Sequence, residues 1–130
     1  MKLHYHLIFL TVLCFGTIGS AQDYTVNFLK GARQFDANAK DFDPEATQAH
    51  EIWNTNIYKF VQFYSIPTNA EKEAIQNAGI DLLEYIPNYT YLASIPTTIN
   101  ATTLAQLNIR SVQTIETTYK VGQRIQDEDY

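Results

Sequence analysis

The fold is decided by residues 58–96, which read YKFVQFYSIPTNAEKEAIQNAGIDLLEYIPNYTYLASIP. Residues 58–66 consist largely of aromatic and branched side chains and are followed by Pro67, which is typical of a β-strand. Thr68 and Glu71 have the spacing of a capping box, in which each side chain binds the backbone of the other residue. The pattern therefore predicts a strand that is followed at once by a helix.

Two more strands complete this stretch. The helix is expected to end at Gly79, because glycine tolerates the left-handed backbone found at a helix end. Residues 80–86 and 89–95 are rich in apolar and aromatic side chains. The turn at Pro87-Asn88 between them predicts a β-hairpin.

The same kind of pattern predicts a second helix over residues 100–107 and a last strand over residues 109–117. The order strand, helix, strand, strand, helix, strand predicts an α+β domain of the ferredoxin-like split βαβ type (βαββαβ). Such a domain has an antiparallel four-stranded sheet with both helices on one face. We expect it to span residues 57–119, with an acidic tail or linker at 120–130.

The first 21 residues have the three parts of a secretory signal peptide. Lys2 provides the positive start, a nine-residue apolar run follows, and Gly-Ser-Ala forms the end. The run is too short to span a bilayer as a permanent helix. We therefore expect cleavage between Ala21 and Gln22, location outside the cell or in the periplasm or cell envelope, and no membrane association after signal removal.

Residues 22–56 mix acidic, small and scattered apolar side chains, which predicts an extended or partly helical arm. One possibility is that this arm covers the sheet, and its four large apolar residues would then be the cover: Phe28, Phe35, Phe42 and Trp53.

The sheet is expected to be apolar on both faces. Two right-handed crossovers place both helices on the same face and leave the other face open. Tyr89 and Tyr91 add to the aromatic residues of the sheet. Because side chains alternate along a strand, Tyr58, Phe60 and Tyr64 are predicted to lie on the open face. Reversed strand parity would instead place Val61 and Phe63 there.

Composition argues against several classes of function. The formal net charge of the chain is -5, which disfavours binding to nucleic acid. Its only cysteine, Cys14, lies in the predicted signal, and residues 22–130 contain one histidine, His50. Metal sites need three or four converging donors, and a catalytic triad needs a base beside its nucleophile. We therefore expect no catalytic residues, no metal and no cofactor.

Three segments carry a resemblance to a known family: YKFVQFYSIP at 58–67, AGIDLLEYIPNYTYL at 78–92 and LNIRSV at 107–112. In this order they resemble the N-terminal prodomain of secreted bacterial subtilisin-like serine proteases (subtilases). The arm segment LKGARQF at 29–35 is similar to the lead-in of bacterial members.

The resemblance implies a ferredoxin-like fold whose open sheet face packs on a catalytic domain. The candidate docking face would then consist of Tyr58, Phe60, Tyr64, Tyr89 and Tyr91. Such a prodomain guides the folding of that domain and inhibits it until autoproteolysis, with its own tail lying in the substrate cleft. The partner would be a subtilase catalytic domain, and the segment in the cleft would be Thr118, Tyr119, Lys120 and Val121.

The sequence therefore predicts a protease prodomain, present without its catalytic domain as a truncated or separate form. The chain itself is not expected to be an enzyme, whereas the precursor that it resembles is a serine endopeptidase. A core of about 60 residues without disulfides is marginally stable, which favours a role that depends on a partner. The alternatives are a stand-alone secreted protease inhibitor or binding module of the same fold, and a small structural protein of the envelope.

Overall fold

The computed structural model describes residues 22–116 and Tyr119. The predicted signal peptide, including Ala21, and the tail residues Thr118, Lys120 and Val121 lie outside the described residues. Within the described part of the chain, no helix has the length and apolar character needed to cross a bilayer.

The described residues contain a short hairpin, a mixed α+β unit and three 3₁₀ turns. The 3₁₀ turns lie in the arm, at Ala39–Asp41, Pro44–Ala46 and Ala49–Glu51. The remaining elements are, in chain order, β1 (Thr25–Phe28), β2 (Gly31–Gln34), β3 (Ile52–Trp53), β4 (Asn56–Phe63), α1 (Asn69–Asn77), β5 (Asp81–Ile86), β6 (Thr90–Pro96), α2 (Ala101–Gln106) and β7 (Ile109–Gln113).

The main sheet has the strand order β7-β4-β6-β5, and every neighbouring pair is antiparallel. Helix α1 connects β4 to β5, and α2 connects β6 to β7. This is the ferredoxin-like arrangement, so the predicted fold class is confirmed. Strand β3 pairs with the first two residues of β4 and extends the sheet on the side of β7.

The local signals act as the sequence predicts. The Thr68 backbone N–H donates to Glu71 Oε2 at 2.7 Å, and the Glu71 N–H donates to Thr68 Oγ1 at 3.3 Å, which closes the capping box of α1. Gly79 follows the helix with a φ of +83°, a conformation that favours glycine. A β-carbon there would lie 3.3 Å from Pro96 Cγ, so glycine also allows close packing.

The helices cover one face of the sheet and form the larger core. On β4, Ile57, Val61 and Phe63 point towards the helices, as the prediction with Phe60 on the opposite face required. The other buried members of this core are Ala39, Ile75, Ile80, Tyr91, Ala93, Ile95, Ile99, Leu104, Ile109 and Val112.

The arm, predicted to be extended or partly helical, contains both short strands and 3₁₀ turns. It forms the β1–β2 hairpin, the three 3₁₀ turns and β3, and it packs on the sheet. Gly31 at a φ of +116° allows the hairpin turn, and Asp43 accepts a hydrogen bond from the Glu45 N–H to begin a turn. Contacts with residues distant in the sequence hold the hairpin on the sheet. The arm therefore completes the packing of the ferredoxin-like unit.

A buried ion pair fastens the arm to β4. Lys59 Nζ lies 2.7 Å from both carboxylate oxygens of Glu51, and it also donates to Thr114 Oγ1 at 3.0 Å. Both charged side chains are less than 10% exposed. Burial alone would raise the pKa of the Glu51 carboxyl, but the hydrogen bonds and charge of Lys59 bring this pKa below its ordinary value.

The substitution Lys59→Met is expected to lower the free energy of unfolding by about 3 kcal/mol, because it leaves a buried carboxylate without its cation. The double variant Glu51→Leu/Lys59→Met should recover most of this loss. Urea denaturation measures both values. An unchanged stability in the single variant would contradict the role of the pair.

The pH dependence of the free energy of unfolding is a second test of the Glu51–Lys59 pair. A lowered pKa of Glu51 in the folded protein stabilises the fold above the glutamate range, and this contribution disappears as the pH falls through the folded-state pKa. In Lys59→Met the buried Glu51 carboxyl has lost its cation, so protonation of this carboxyl stabilises the folded variant. The stability gap between the two proteins should therefore narrow in acid, as followed by urea denaturation over a pH series.

Candidate docking surface

The candidate surface is the sheet face opposite the helices. On β4 this face carries Tyr58, Phe60 and Gln62, which alternate with the residues of the helix-side core. The β1–β2 hairpin and Tyr119 lie against it, and Phe60 is only 7% exposed as a result. The face is thus partly covered by the chain itself.

The apolar half of this contact is built from aromatic rings. The ring of Phe28 lies 5.3 Å from that of Phe60 and 6.1 Å from that of Phe35, centre to centre. Tyr119 stacks on Phe28 at 4.2 Å with nearly parallel planes. Val26, which is fully buried, completes the cluster. The hairpin is therefore held to the sheet chiefly by apolar packing at this end.

The polar half of the contact is organised by Gln62, which is fully buried. Its Nε2 is within 3.1 Å of the backbone oxygens of Tyr24 and Asn88, and its Oε1 accepts from Arg110 at 2.8 Å. Arg110 also donates to the Phe35 carbonyl at 2.7 Å. These bonds attach both ends of the hairpin to the sheet, since they reach the residues before β1 and after β2.

Two further contacts support this network. Asn88, in the β5–β6 turn with a φ of +65°, donates to the carbonyl of Thr25. The Arg110 guanidinium lies 4.1 Å from the centre of the Tyr24 ring, a cation–π arrangement. The turn asparagine therefore has a second role in binding the hairpin.

The five aromatic residues predicted for one docking face do not lie together. Phe60 is on the predicted face but is buried by the hairpin, and Tyr58 is half-buried on the same face of β4. Tyr91 belongs to the helix-side core, where its ring is 5.8 Å from that of Phe63. Its position on β6 opposite Val61 explains this, because paired residues share a face.

The other two predicted residues lie near the end of β4. Tyr64 follows the strand and is 45% exposed, and Tyr89 sits in the β5–β6 turn and packs partly on the helix-side core. Both rings contact Tyr24 edge-on, at 6.4 and 6.0 Å. The five residues therefore do not share one face of the sheet, and the docking role of each of them stays a prediction.

The four arm residues that were proposed to cover the sheet lie in different places. Phe28 and Phe35 cover the sheet as the alternative interpretation expected, whereas Phe42 packs against the helix-side core and Trp53 is 70% exposed. Of the predicted cleft segment, Tyr119 is described, and it packs on the domain's own hairpin.

An apolar groove of about 490 Å³ remains open beside the hairpin. Leu29, at the hairpin turn, is 79% exposed at its rim. The groove runs between the hairpin and the β5 side of the sheet, and it is lined by Asn27, Phe28, Leu29, Phe60, Glu84, Ile86, Leu92, Ile115 and Tyr119. Its apolar walls suit a protein surface or an extended chain better than a charged ligand.

The remaining chemistry of the surface is limited. Among the described residues no group of three or more acidic or histidine side chains is close enough to hold a metal ion. The sequence did not predict three features of this surface: Gln62, Arg110 and the hairpin turn at Leu29. A glutamine between Val61 and Phe63, in a strand of mostly apolar side chains, is the signal for the first, because a buried amide needs hydrogen-bonding partners.

Comparison with known families gives one match. A family model described as a domain of unknown function (DUF8729) matches residues 33–116. The match begins within β2 and extends beyond β7, so it includes the whole ferredoxin-like unit and most of the arm. No curated protein and no solved structure matches the chain.

The substitution Phe28→Ala tests the hairpin contact. It removes the ring that joins Phe60 to Tyr119, and we expect a loss of about 2 kcal/mol in the free energy of unfolding, less than for a fully buried phenylalanine. Leu29→Ala is the matched control, since this neighbouring side chain is exposed and should change stability by less than about 0.5 kcal/mol. Equal effects of the two substitutions in urea denaturation would contradict the described contact.

Proposed function

We propose that this chain, which belongs to the DUF8729 family, is the prodomain of a secreted subtilisin-like serine protease. In this role it guides the folding of the catalytic domain and inhibits that domain until autoproteolysis. The chain contributes no catalytic residue, and it acts after export, outside the cell or in the periplasm or cell envelope.

The resemblance to subtilase prodomains concerns the parts of the chain that build the sheet. Residues 58–67 include most of β4, residues 78–92 include β5 and its turn into β6, and residues 107–112 include the start of β7. The ferredoxin-like strand order is the one that the resemblance implies. These facts support the proposal at the level of the fold.

The observation that carries the proposal is the open groove on the sheet face opposite the helices. That face is the one by which a prodomain of this type packs on its catalytic domain. The groove leaves apolar surface uncovered at Leu29, Ile86 and Ile115 beside the hairpin. Surface of this kind usually marks an interaction site.

The hairpin covers part of the sheet face that was expected to contact the catalytic domain, so the proposed contact lies elsewhere. Phe60 is already buried by the chain itself, so the catalytic domain would contact the rim of the groove, with Leu29 as the most exposed anchor. Tyr119 is similarly engaged with Phe28. The segment proposed to enter the substrate cleft therefore begins after Tyr119, at Lys120 and Val121.

One observation favours the alternative, a stand-alone secreted protease inhibitor or binding module. The arm buries Phe60 under its own Val26 and Phe35 and attaches to β4 through the Glu51–Lys59 pair, so the fold has apolar cover of its own. The coding sequence after Tyr130 distinguishes the two. A continuing frame with subtilase Asp, His and Ser motifs supports the prodomain, and a stop codon supports the stand-alone form.

Inhibition in trans tests the proposed activity. The purified chain is expected to inhibit at least one of a panel of secreted bacterial subtilisin-like proteases that have been freed of their own prodomains. Leu29→Asp should weaken this inhibition by about tenfold or more, because it places a carboxylate in an apolar contact.

The control for this experiment is Ile66→Asp, which introduces the same charge at an exposed apolar residue that does not line the groove. It should inhibit like the unaltered chain. Failure of the folded chain to inhibit any protease of the panel, or equal inhibition by both variants, would overturn the proposal.

A further inference from the structure

The two edges of the main sheet differ in what binds to the outer backbone of the edge strand. On the β7 edge the side chain of Asn38 accepts from the Val112 N–H at 2.9 Å and donates to the Val112 carbonyl at 3.1 Å. It thereby takes the place of a neighbouring strand. On the opposite edge, β5 pairs only with β6, and no other strand of the described residues pairs with it.

Strand β5 has few of the features that usually protect an edge. It contains no lysine and no proline. Leu83 and Tyr85 are about half exposed, at 52% and 47%. The protection that it does have is a β-bulge between Leu82 and Glu84 and the carboxylates of Asp81 and Glu84. Carboxylates repel an acidic chain and attract a basic one.

An opening lies beside this edge on each face of the sheet. On the helix side a cavity of about 310 Å³ is bordered by Leu82 of β5 and by Lys72 and Gln76 of α1. On the hairpin side the groove of about 490 Å³ is bordered by Glu84 and Ile86. The side chains of a strand alternate between the two faces, so a strand added to β5 would place successive side chains beside one opening and then the other.

We propose that the outer edge of β5 is a strand-addition site for an extended segment of a partner protein. The backbone of that segment pairs with β5, and its side chains on the hairpin face are apolar except for a basic residue opposite Glu84. The backbone hydrogen bonds supply affinity, and the groove and Glu84 supply the sequence preference. The site depends on the edge alone and not on the partner being a protease.

Charge favours a partner segment over a second copy of the chain. Two β5 strands paired with each other would bring four carboxylates together, and neither strand carries a cation. A basic residue in the partner instead pairs with Glu84 across the strands. Opposite charges on neighbouring strands are stabilising, and like charges directly opposite each other are destabilising.

The test uses the full chain and a capped peptide probe of the sequence Thr-Val-Thr-Arg-Thr-Val-Thr, which places valine and arginine on one face. We expect the probe to shift the backbone amide signals of residues 81–86 in NMR spectra and to slow their hydrogen exchange. The same peptide with N-methylated alternate residues cannot donate along one edge, and it should bind at least about tenfold more weakly.

A second experiment reverses the charge at position 84 and in the probe. Glu84→Arg should weaken binding of the probe by about fivefold or more and should favour a probe with glutamate in place of arginine. Glu45→Arg is the control, because it makes the same change of charge at an exposed arm residue.

Three outcomes would overturn the inference. The first is the absence of amide shifts at β5, and the second is equal binding of the N-methylated peptide. The third is a concentration-dependent dimer that protects β5 without any peptide, because the occupant would then be a second copy. Binding of the probe without inhibition of any protease would support this site and count against the proposed function alone.

Discussion

The structure depends on one constraint: strand β4 carries buried side chains on both of its faces. Ile57, Val61 and Phe63 are covered by the helices, as the ferredoxin-like topology requires. Phe60 and Gln62 need a second cover on the other face, and the β1–β2 hairpin provides it. The apolar side chain requires exclusion of water, and the amide requires hydrogen-bonding partners. The arm therefore completes the core.

The order and type of the main elements could be predicted from the sequence because their signals are local. Thr68 and Glu71 begin α1, and Gly79 ends it, within a span of twelve residues. The hairpin β1–β2 could not be predicted in this way. All four residues of β2 are exposed, so the strand shows no alternation of apolar and polar residues. Its position follows from contacts such as that of Arg110 with the Phe35 carbonyl, 75 residues away.

For the candidate site, too, the local pattern could be predicted from the sequence and the long-range contacts could not. Alternation along β4 correctly separates Phe60 from Val61 and Phe63, but it cannot show what lies on top of Phe60. The closed β7 edge depends on Asn38, whose side chain binds Val112 across 74 residues of sequence. The arm thus closes one edge and part of one face, and it leaves the groove and β5 open. The proposed contacts with other proteins are at these two remaining places.

Native-state hydrogen exchange of the full chain tests most directly whether the arm is part of the folded unit. If it completes the core, the hydrogen-bonded amides of β1 and β2 will exchange with free energies close to those of β4, because all of them open only when the domain unfolds. Exchange of the β1 and β2 amides at the rate of an unfolded chain, while β4 stays protected, would contradict the account.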